Sequence, residues 1–400
     1  MKKIEFEFYI ISPLHIGSGE MATSIEYLQD KDYIFFVKPD KLFNFFANSP
    51  KMSKDKEKAR KIFITYFRGA HSDASLDDFL KQQQLDISKF LEDENNWYRK
   101  IPKDNSVTGA KEINLAIKNG IKQQPYIPGS SIKGFFRNAL LYNYLDTNVA
   151  VRNKFFNDID RVYADPGKRR SSKQALEKIG EKYDGELFCY ESDGGNGRKT
   201  FYNPQKSIMR FFQLPDINFS EFSTSVLQAN SYNQKGREQI PIVSEYITNL
   251  AVNDRFSFTL SIDDLQLKKN KLFEKPLQKL FGNIENIGNQ LENSITTFTK
   301  KLISEEIDFC ERMNVHTIKN FKDKIKDKHV FYMPIGKQTG FFSKTISFLL
   351  KKYEKYELLE KIAEISFPNA YPDNFPATKN LVYYNNKLYL PGWLFVQRKV

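Results

Sequence analysis

Strand-like and helix-like stretches interleave along this sequence, and the pattern predicts an α+β fold built as two domains. The chain has 400 residues, which is more than one hydrophobic core usually takes. Hydrophobic residues make up 40% of it and aromatic residues 14%, enough for two packed interiors. The regular βαβ order of a Rossmann sheet is missing, so we expect a mixed architecture.

The first domain is predicted to span residues 1–220. Residues 3–11 (KIEFEFYII) alternate polar and apolar side chains with the period of a half-buried strand, and residues 33–37 predict a second strand. From about 40 to 105 we expect an inserted helical lobe. Apolar residues recur there every three to four positions, and Ser75 suits a helix N-cap.

The rest of this domain is predicted to contain strands, turns and one long helix. Residues 112–118 have strand character, and YIPGSSIKG at 126–134 predicts a strand and a tight glycine turn that leads into the helix. Residues 164–174 and 191–199 have the turn-rich, basic composition of exposed loops. Residues 208–214 predict a further apolar strand.

The second domain is predicted to span residues 221–400. A clean alternation at 255–262 predicts a strand, and residues 271–320 predict a mainly helical insertion. The tail then predicts a strand at 329–335, a glycine turn at 336–340, a helix at 343–365 and a final hairpin ending LYLPGWLFVQRKV.

Charge and composition limit the classes of function. There are 61 Lys and Arg against 49 Asp and Glu, a formal charge of +12 that attracts polyanions. Nucleic acid is the default partner, and a merely solubilising lysine-rich surface is the alternative. Two cysteines and four scattered histidines lead us to expect no disulfide framework, metal or cofactor. No apolar run approaches the about 20 residues that cross a bilayer, and the start does not read as a signal peptide, so we expect a cytoplasmic protein.

The most specific motif is PGSSIKG at 128–134, with Arg137 one turn further on. A glycine turn before a helix lets backbone N–H groups approach a phosphate, and the helix N-terminus favours negative charge. Ser130 and Ser131 could cap the helix or bond phosphate oxygens, and Lys133 adds a positive charge. The alternative is a strand-to-helix turn with serine caps and no ligand.

Two further glycine loops could hold an anion. SPLHIGSGE at 12–20 contains His15, a candidate general acid or base, or a simple hydrogen-bond donor to a phosphate or a backbone carbonyl. MPIGKQTGFFSKT at 333–345 carries Lys337 and Lys344, but it lacks the glycines of the GxxxxGK[ST] pattern, so nucleotide hydrolysis is disfavoured. Considered alone, each loop also has a purely structural explanation.

Taken together, YIPGSSIKGFFRNAL and SPLHIGSGE resemble the glycine-rich signature and the N-terminal loop of the RAMP superfamily, the RNA-binding subunits of CRISPR effectors. The length, MPIGKQTGFFSKTI and the closing LPGW resemble the fifth Csm-type family within it, which caps the 3′ end of the guide RNA (crRNA) in type III-A complexes. The resemblance runs from residue 5 to residue 395. It implies two ferredoxin-like, RRM-related RAMP domains with helical insertions.

The resemblance also implies a non-catalytic subunit that binds crRNA, caps its 3′ end, and supports guide maturation and complex assembly in antiviral defence. Its implied partners are crRNA, target RNA nearby, the backbone and small helical subunits of the Csm complex, and host nucleases recruited for 3′ maturation, with no membrane. Lys133 and Arg137 are both expected to be exposed. The residues implied to contact RNA are His15, Gly17, Ser18, Gly19, Gly129, Ser130, Ser131, Lys133, Gly134, Arg137, Lys337 and Lys344.

Phe135 and Phe136 depart from the small or aliphatic residues usual at these positions, and they could face RNA, a partner or the core. Other functions stay open at this point. The chain could be another RAMP subunit that grips the 5′ handle, or a protein scaffold whose binding is insensitive to salt. It could also be a metal-independent guide-processing endoribonuclease with His15 as general base, although only generic Lys or Tyr side chains could protonate the leaving oxygen.

Overall fold

The structure, a computed structural model, describes residues 1–69, 75–120, 123–162, 169–190, 203–218, 221–233, 241–250, 254–312, 330–367, 375–376 and 378–399. Its strands are β1 (Lys2–Ile10), β2 (Gly17–Thr23), β3 (Tyr27–Gln29), β4 (Tyr33–Val37), β5 (Trp97–Pro102), β6 (Glu112–Ala116), β7 (Phe212–Gln213), β8 (Thr224–Asn233), β9 (Ile242–Ile247), β10 (Phe256–Ile262), β11 (Val330–Pro334), β12 (Thr378–Tyr384), β13 (Lys387–Tyr389) and β14 (Trp393–Arg398). Its α-helices are α1 (Pro39–Ala47), α2 (Lys56–Arg68), α3 (Leu76–Gln82), α4 (Ile87–Leu91), α5 (Gly129–Thr147), α6 (Val149–Asp160), α7 (Arg169–Phe188), α8 (Asp264–Lys269), α9 (Glu274–Phe281), α10 (Ile287–Arg312), α11 (Phe348–Lys352) and α12 (Tyr356–Ser366).

Sheet 1 has the strand order β11-β14-β1-β10-β7, with β1 at its centre between two antiparallel partners. The period-two sequence of β1 buries Ile4, Phe6 and Phe8 on one face, as the alternation predicts. Helices α5 and α10 cover that face, where the Phe6 ring lies 6.1 Å from the ring of Phe136 on α5. This packing forms part of the main hydrophobic core.

Sheet 2 has the order β13-β12-β8-β9-β6-β2, and its β6–β9 pair is parallel. A third, small sheet, β3-β4-β5, packs against it, and helices α1 to α4 form the helical lobe with its own aromatic core. The helices of the predicted lobe lie between Pro39 and Leu91. The predicted range was too long, because Trp97–Pro102 pairs with β4 as a strand.

Some predicted strands match the structure almost residue for residue, whereas other predicted elements are wrong. Strands at 33–37 and 255–262 match β4 and β10. Residues 208–214 instead wind as a 3₁₀ turn, Ile208–Phe211, before the short β7, since Ser207 Oγ accepts the Met209 N–H and caps the turn. Residues 169–174 begin α7, whose Tyr183 packs in the core; residues 163–168 and 191–199 lie outside the described residues.

The C-terminal prediction needs two corrections. The single helix expected at 343–365 is split into α11 and α12, with Glu354 between them in the left-handed region at φ +56°. The final hairpin is β12–β13, whereas β14 leaves it and pairs with β1 and β11 in sheet 1. Strands from both sides of residue 220 therefore share sheet 1, and the division into two domains stays a prediction.

Candidate nucleic-acid interface

The loop after β1 is held against sheet 2 by its backbone. Leu14 exchanges two hydrogen bonds with Ile247 of β9, and the fully buried His15 places Nδ1 2.7 Å from the backbone oxygen of Glu245. That contact assigns the ring proton to Nδ1, which donates to the carbonyl. Burial lowers the pKa of His15; the bond to Glu245 opposes this effect, and the Lys337 charge adds to it. His15 is therefore a neutral side chain held by the backbone.

The loop after β11 lies directly on the His15 loop. Gly336 adopts φ +85° and presses against the His15 carbonyl, so that a Cβ at this position would overlap it. The Lys337 N–H donates to the same carbonyl over 2.8 Å. A Cβ placed on Gly17 would lie 3.0 Å from Lys337 Nζ and 3.1 Å from His15 Nε2. Two loops from opposite ends of the chain thus bring His15, Gly17 and Lys337 together.

Lys344 completes a lysine pair with Lys337, and both residues are exposed. Desolvation of its ammonium lowers the pKa of Lys344, and the positive charge of Lys337 lowers it further. Within the described part of the chain, neither lysine forms an ion pair with a carboxylate. The pair is therefore a local excess of positive charge at the surface.

The glycine motif does not form the expected glycine turn. Residues 129–134 are the first turns of α5, which begins after Pro128 without a side-chain cap, so the expected serine caps are absent at this helix start. Gly129 is needed because a Cβ there would overlap the carbonyl oxygen of Leu214. Its N–H already donates to Asp216 Oδ1 over 2.9 Å. The first helix N–H group is thus occupied by the protein's own carboxylate.

An open groove of about 710 Å³ lies beside this helix start, and Ser130, Lys133 and Arg210 line it. Lys133 is half-buried rather than exposed, and desolvation lowers its pKa. From the groove, an accessible row of Ser130, Gly134 and Asn138 follows α5 at four-residue spacing. Asn138 Nδ2 donates to the backbone oxygen of Lys344 over 3.1 Å. This α5 row therefore connects the groove to the lysine pair.

Arg137 was expected to be exposed on this surface, but it is not. Its guanidinium forms an ion pair with Asp184 on α7, with Nε donating to Oδ1 over 3.0 Å, and lies 5.6 Å from the Phe188 ring. Desolvation raises the pKa of Asp184, and Arg137 opposes that rise. Arg137 joins α5 to α7 because its position, eight residues after Gly129, lies on the side of α5 that faces α7. The sequence alone did not show which side of α5 faces α7.

Phe135 and Phe136 face the core, which settles the question that the sequence left open. They are 5% and 1% exposed, and the Phe135 ring lies 6.0 Å from Phe298 of α10. Ser18 and Gly19 lie in β2, at the outer edge of sheet 2, and both are exposed. Ser18 Oγ accepts the Glu20 N–H over 3.1 Å. The strand that contains them was predicted as a loop.

A buried ion cluster supports the His15 loop and was missed in the sequence. Glu245 is fully buried on β9 and forms ion pairs with Arg99 and with Lys118, the latter over 2.8 Å. Desolvation lowers the pKa of Arg99, whereas Glu245 raises it. The three residues are far apart in sequence and belong to no motif, so no local signal could have identified them.

The described residues offer neither a cluster of metal ligands nor a membrane-spanning helix. They contain no group of three or more His, Cys, Asp or Glu side chains that could hold a metal ion. No described helix is long and apolar enough to span a membrane.

Comparisons with known proteins agree with the resemblance found in the sequence. The RAMP superfamily profile matches residues 7–375. A protein named CRISPR system Cms protein Csm5, from Methanocaldococcus jannaschii, is 22% identical over 420 aligned residues, which cover 98% of this chain and 88% of the relative. One chain of a cryo-EM Csm–crRNA–target RNA ternary complex from a type III-A CRISPR-Cas system is 17% identical, with a TM-score of 0.66 over 99% of this chain and 100% of that chain. The crystal structure of T. onnurineus Csm5 gives 17% identity and a TM-score of 0.63 over 97% of this chain and 99% of that one.

Proposed function

The chain belongs to the RAMP superfamily, and from this premise we propose that it is the crRNA-binding subunit that caps the 3′ end of the guide in a type III-A Csm effector complex. The relatives that carry the name Csm5 support this assignment, as does the fold shared with a chain of a Csm–crRNA–target RNA complex. In this role the protein supports guide maturation and complex assembly for antiviral defence, and it works in the cytoplasm.

The lysine pair is the observation that carries the proposal. Lys337 and Lys344 are exposed residues, the Lys337 charge lowers the pKa of Lys344, and among the described residues neither lysine forms an ion pair with a carboxylate. A phosphate bound between them would relieve that repulsion and add charge-assisted hydrogen bonds. The α5 row leads from this pair to the groove with Lys133 and Arg210, so a strand of RNA could follow it.

This mode of binding reads the sugar-phosphate backbone and not the base sequence. Contacts from lysine and backbone N–H groups to phosphate carry no sequence information. Such a surface suits a subunit that must accept any guide. It also predicts salt-dependent affinity, with a slope of about −0.7 in log K against log salt for each phosphate neutralised on a single strand.

A binding role without catalysis fits the state of His15. The ring is fully buried, its Nδ1 is engaged by the Glu245 carbonyl, and its pKa is lowered by burial. A general base must reach the proton that it abstracts, and a buried Nε2 does not offer that reach without a change in the loop. We therefore assign His15 to holding the two loops together beside the RNA.

The wider assembly belongs to the same proposal. The backbone and small helical subunits of the complex, target RNA nearby and host nucleases that trim the guide are the proposed partners. The architecture is proposed to derive from two ferredoxin-like units, divided near residue 220 in sequence, although both contribute strands to sheet 1.

The test is co-purification of the chain with a tagged backbone subunit and guide RNA. Wild type is compared with the double variant Lys337→Ala, Lys344→Ala, and the bound RNA is sized on a gel with and without chelator. We expect uncut, mature guides with wild type, and lost guides or longer precursors with the double variant. The salt slope of binding should fall in magnitude by about 0.7, because the one phosphate held by the lysine pair is no longer neutralised.

The matched control is Lys300→Ala, Lys301→Ala on α10, which removes the same charge from two exposed lysines of the chain. It should bind guide like wild type. Equal loss in both double variants would mean that net charge alone attracts the RNA. Protection of the guide's 5′ handle would instead favour the other RAMP subunit, and chelator-resistant cleavage that His15→Gln abolishes would favour the nuclease.

A further inference from the structure

Three aromatic rings form a cluster that includes a residue of the loop with the lysine pair: Phe341, which lies in that loop, Phe367 and Phe375. Their ring centroids lie 4.7 Å apart for Phe341–Phe375, 5.3 Å for Phe367–Phe375 and 5.8 Å for Phe341–Phe367. Phe341 meets the other two rings edge-on, and these distances are typical of attractive aromatic pairs. We name the three residues the aromatic cluster.

The aromatic cluster is unusually accessible for phenylalanine. Phe367 is 42% exposed, the most exposed phenylalanine among the residues that the structure describes, while Phe341 and Phe375 are half-buried. Phenylalanine is normally buried, and leaving a ring of this size in water forgoes hydrophobic stabilisation. The neighbouring Phe342 shows the ordinary behaviour, since it is 4% exposed and packs on Phe348.

The aromatic cluster is anchored in the same loop as the lysine pair, through Phe341. Phe341 lies between Lys337 and Lys344 in the loop after β11, and its carbonyl accepts the Lys344 N–H over 3.2 Å. Phe367 follows the last turn of α12, where its N–H donates to Ala363 over 2.8 Å. Apolar rings beside two lysines without carboxylate partners are the combination that single-stranded nucleic acid requires, a stacking platform and phosphate contacts.

We propose that the aromatic cluster stacks a base of single-stranded RNA whose phosphate is bound by the lysine pair. This inference rests on the proposed function and adds a contact that the glycine motifs do not provide. Stacking on phenylalanine tolerates any base, since every base has a π face, so it agrees with a guide of arbitrary sequence. An apolar protein surface is a poorer occupant, because it would desolvate both lysines without supplying an anion.

The experiment uses the full chain and short single-stranded RNAs in which 2-aminopurine replaces one base, moved position by position along the RNA. Stacking on a ring quenches its fluorescence. With wild type we expect quenching at one or two positions. In Phe367→Leu, which keeps an apolar side chain without a π face, we expect the quenching to be lost and the affinity to fall about tenfold. Phe367→Trp should retain both.

Tyr356→Leu is the matched control, because Tyr356 is 50% exposed at the opposite end of the same helix. It should bind RNA like wild type. If Phe367→Leu matches wild type in affinity and quenching while Lys337→Ala with Lys344→Ala weakens binding, the stacking inference is overturned and the proposed function stands. If neither change affects RNA binding, both the stacking inference and the proposed function are overturned. Normal RNA binding by Phe367→Leu with lost attachment to another Csm subunit would make the cluster a protein contact instead.

Discussion

Gly134 offers a sharp test of whether RNA follows α5. It lies in the second turn of the helix, is exposed, and a Cβ added there would meet nothing within 4 Å. Gly129, in contrast, is required by the close approach of Leu214. The free protein therefore has no steric need for glycine at 134, and an alanine should improve the helix.

The expected size of that improvement follows from helix propensity. Glycine inside a helix costs about 0.5–1 kcal/mol relative to alanine. For 400 residues, an unfolding entropy of about 2.1 cal/mol/K per residue converts 1 kcal/mol into a rise in Tm of about 1 °C. The same methyl group would stand in the path of an RNA backbone along the α5 row. Losing one charge-assisted contact there costs about 1.5 kcal/mol, a tenfold weaker Kd.

The assay pairs a thermal melt with guide binding by filter retention for Gly134→Ala and for a control, Gly180→Ala. Gly180 also lies inside a helix, α7, and a Cβ there would likewise meet nothing within 4 Å. Both variants should melt slightly higher, and only Gly134→Ala should bind guide more weakly. If Gly134→Ala binds guide like wild type, RNA does not approach the α5 row.

Three further predictions concern the supports of this surface. Gly129→Ala should prevent normal folding or lower Tm sharply, because its Cβ would overlap the Leu214 carbonyl; an unchanged melt would show that this segment can move away. Arg137→Ala should lower the free energy of unfolding by about 2 kcal/mol in urea titrations, since Asp184 loses its partner in a half-buried site, with no direct effect on RNA contacts. Because the pKa of His15 is lowered in the folded protein, the unfolded chain binds more protons once the pH drops below about 6.5. The free energy of unfolding should therefore decrease as the pH falls from about 6.5 to the lowered pKa of His15, by up to about 1.4 kcal/mol per pH unit. His15→Gln should reduce that slope, and an identical slope in both proteins would contradict the argument.

The local sequence pattern was enough to predict elements whose buried positions in the fold match the hydrophobic period of their sequence. The alternation in β1 and β10 predicted both strands to within one residue, whereas the helical spacing of the lobe predicted helices there but not where they end. The pattern failed where tertiary contacts decide. Glycine at 129 reads as a turn residue, but the structure uses it for close packing at a helix start, and sequence alone does not separate the two uses.

The candidate site shows the same division. His15, Gly17 and the lysine pair were found from their loops, yet their contact depends on the pairing of β1 with β14 at the other end of the chain. Arg137 was assigned to RNA because nothing in sequence reveals Asp184 across the helix interface. The Glu245 cluster and the aromatic cluster are assembled from distant segments, so only the folded chain brings them into view.

The central position of β1 has a consequence for biosynthesis. Its two partners, β10 and β14, begin at residues 256 and 393, so β1 is synthesised long before it can be fully paired. At about 5–20 residues per second, the wait for β14 lasts roughly 20–80 s. Both edges of β1 are free until β10 has been synthesised, and one edge then stays open to chaperones or to a second nascent chain until β14 follows. The contact between the His15 loop and Lys337 therefore cannot form until the loop after β11 has been synthesised.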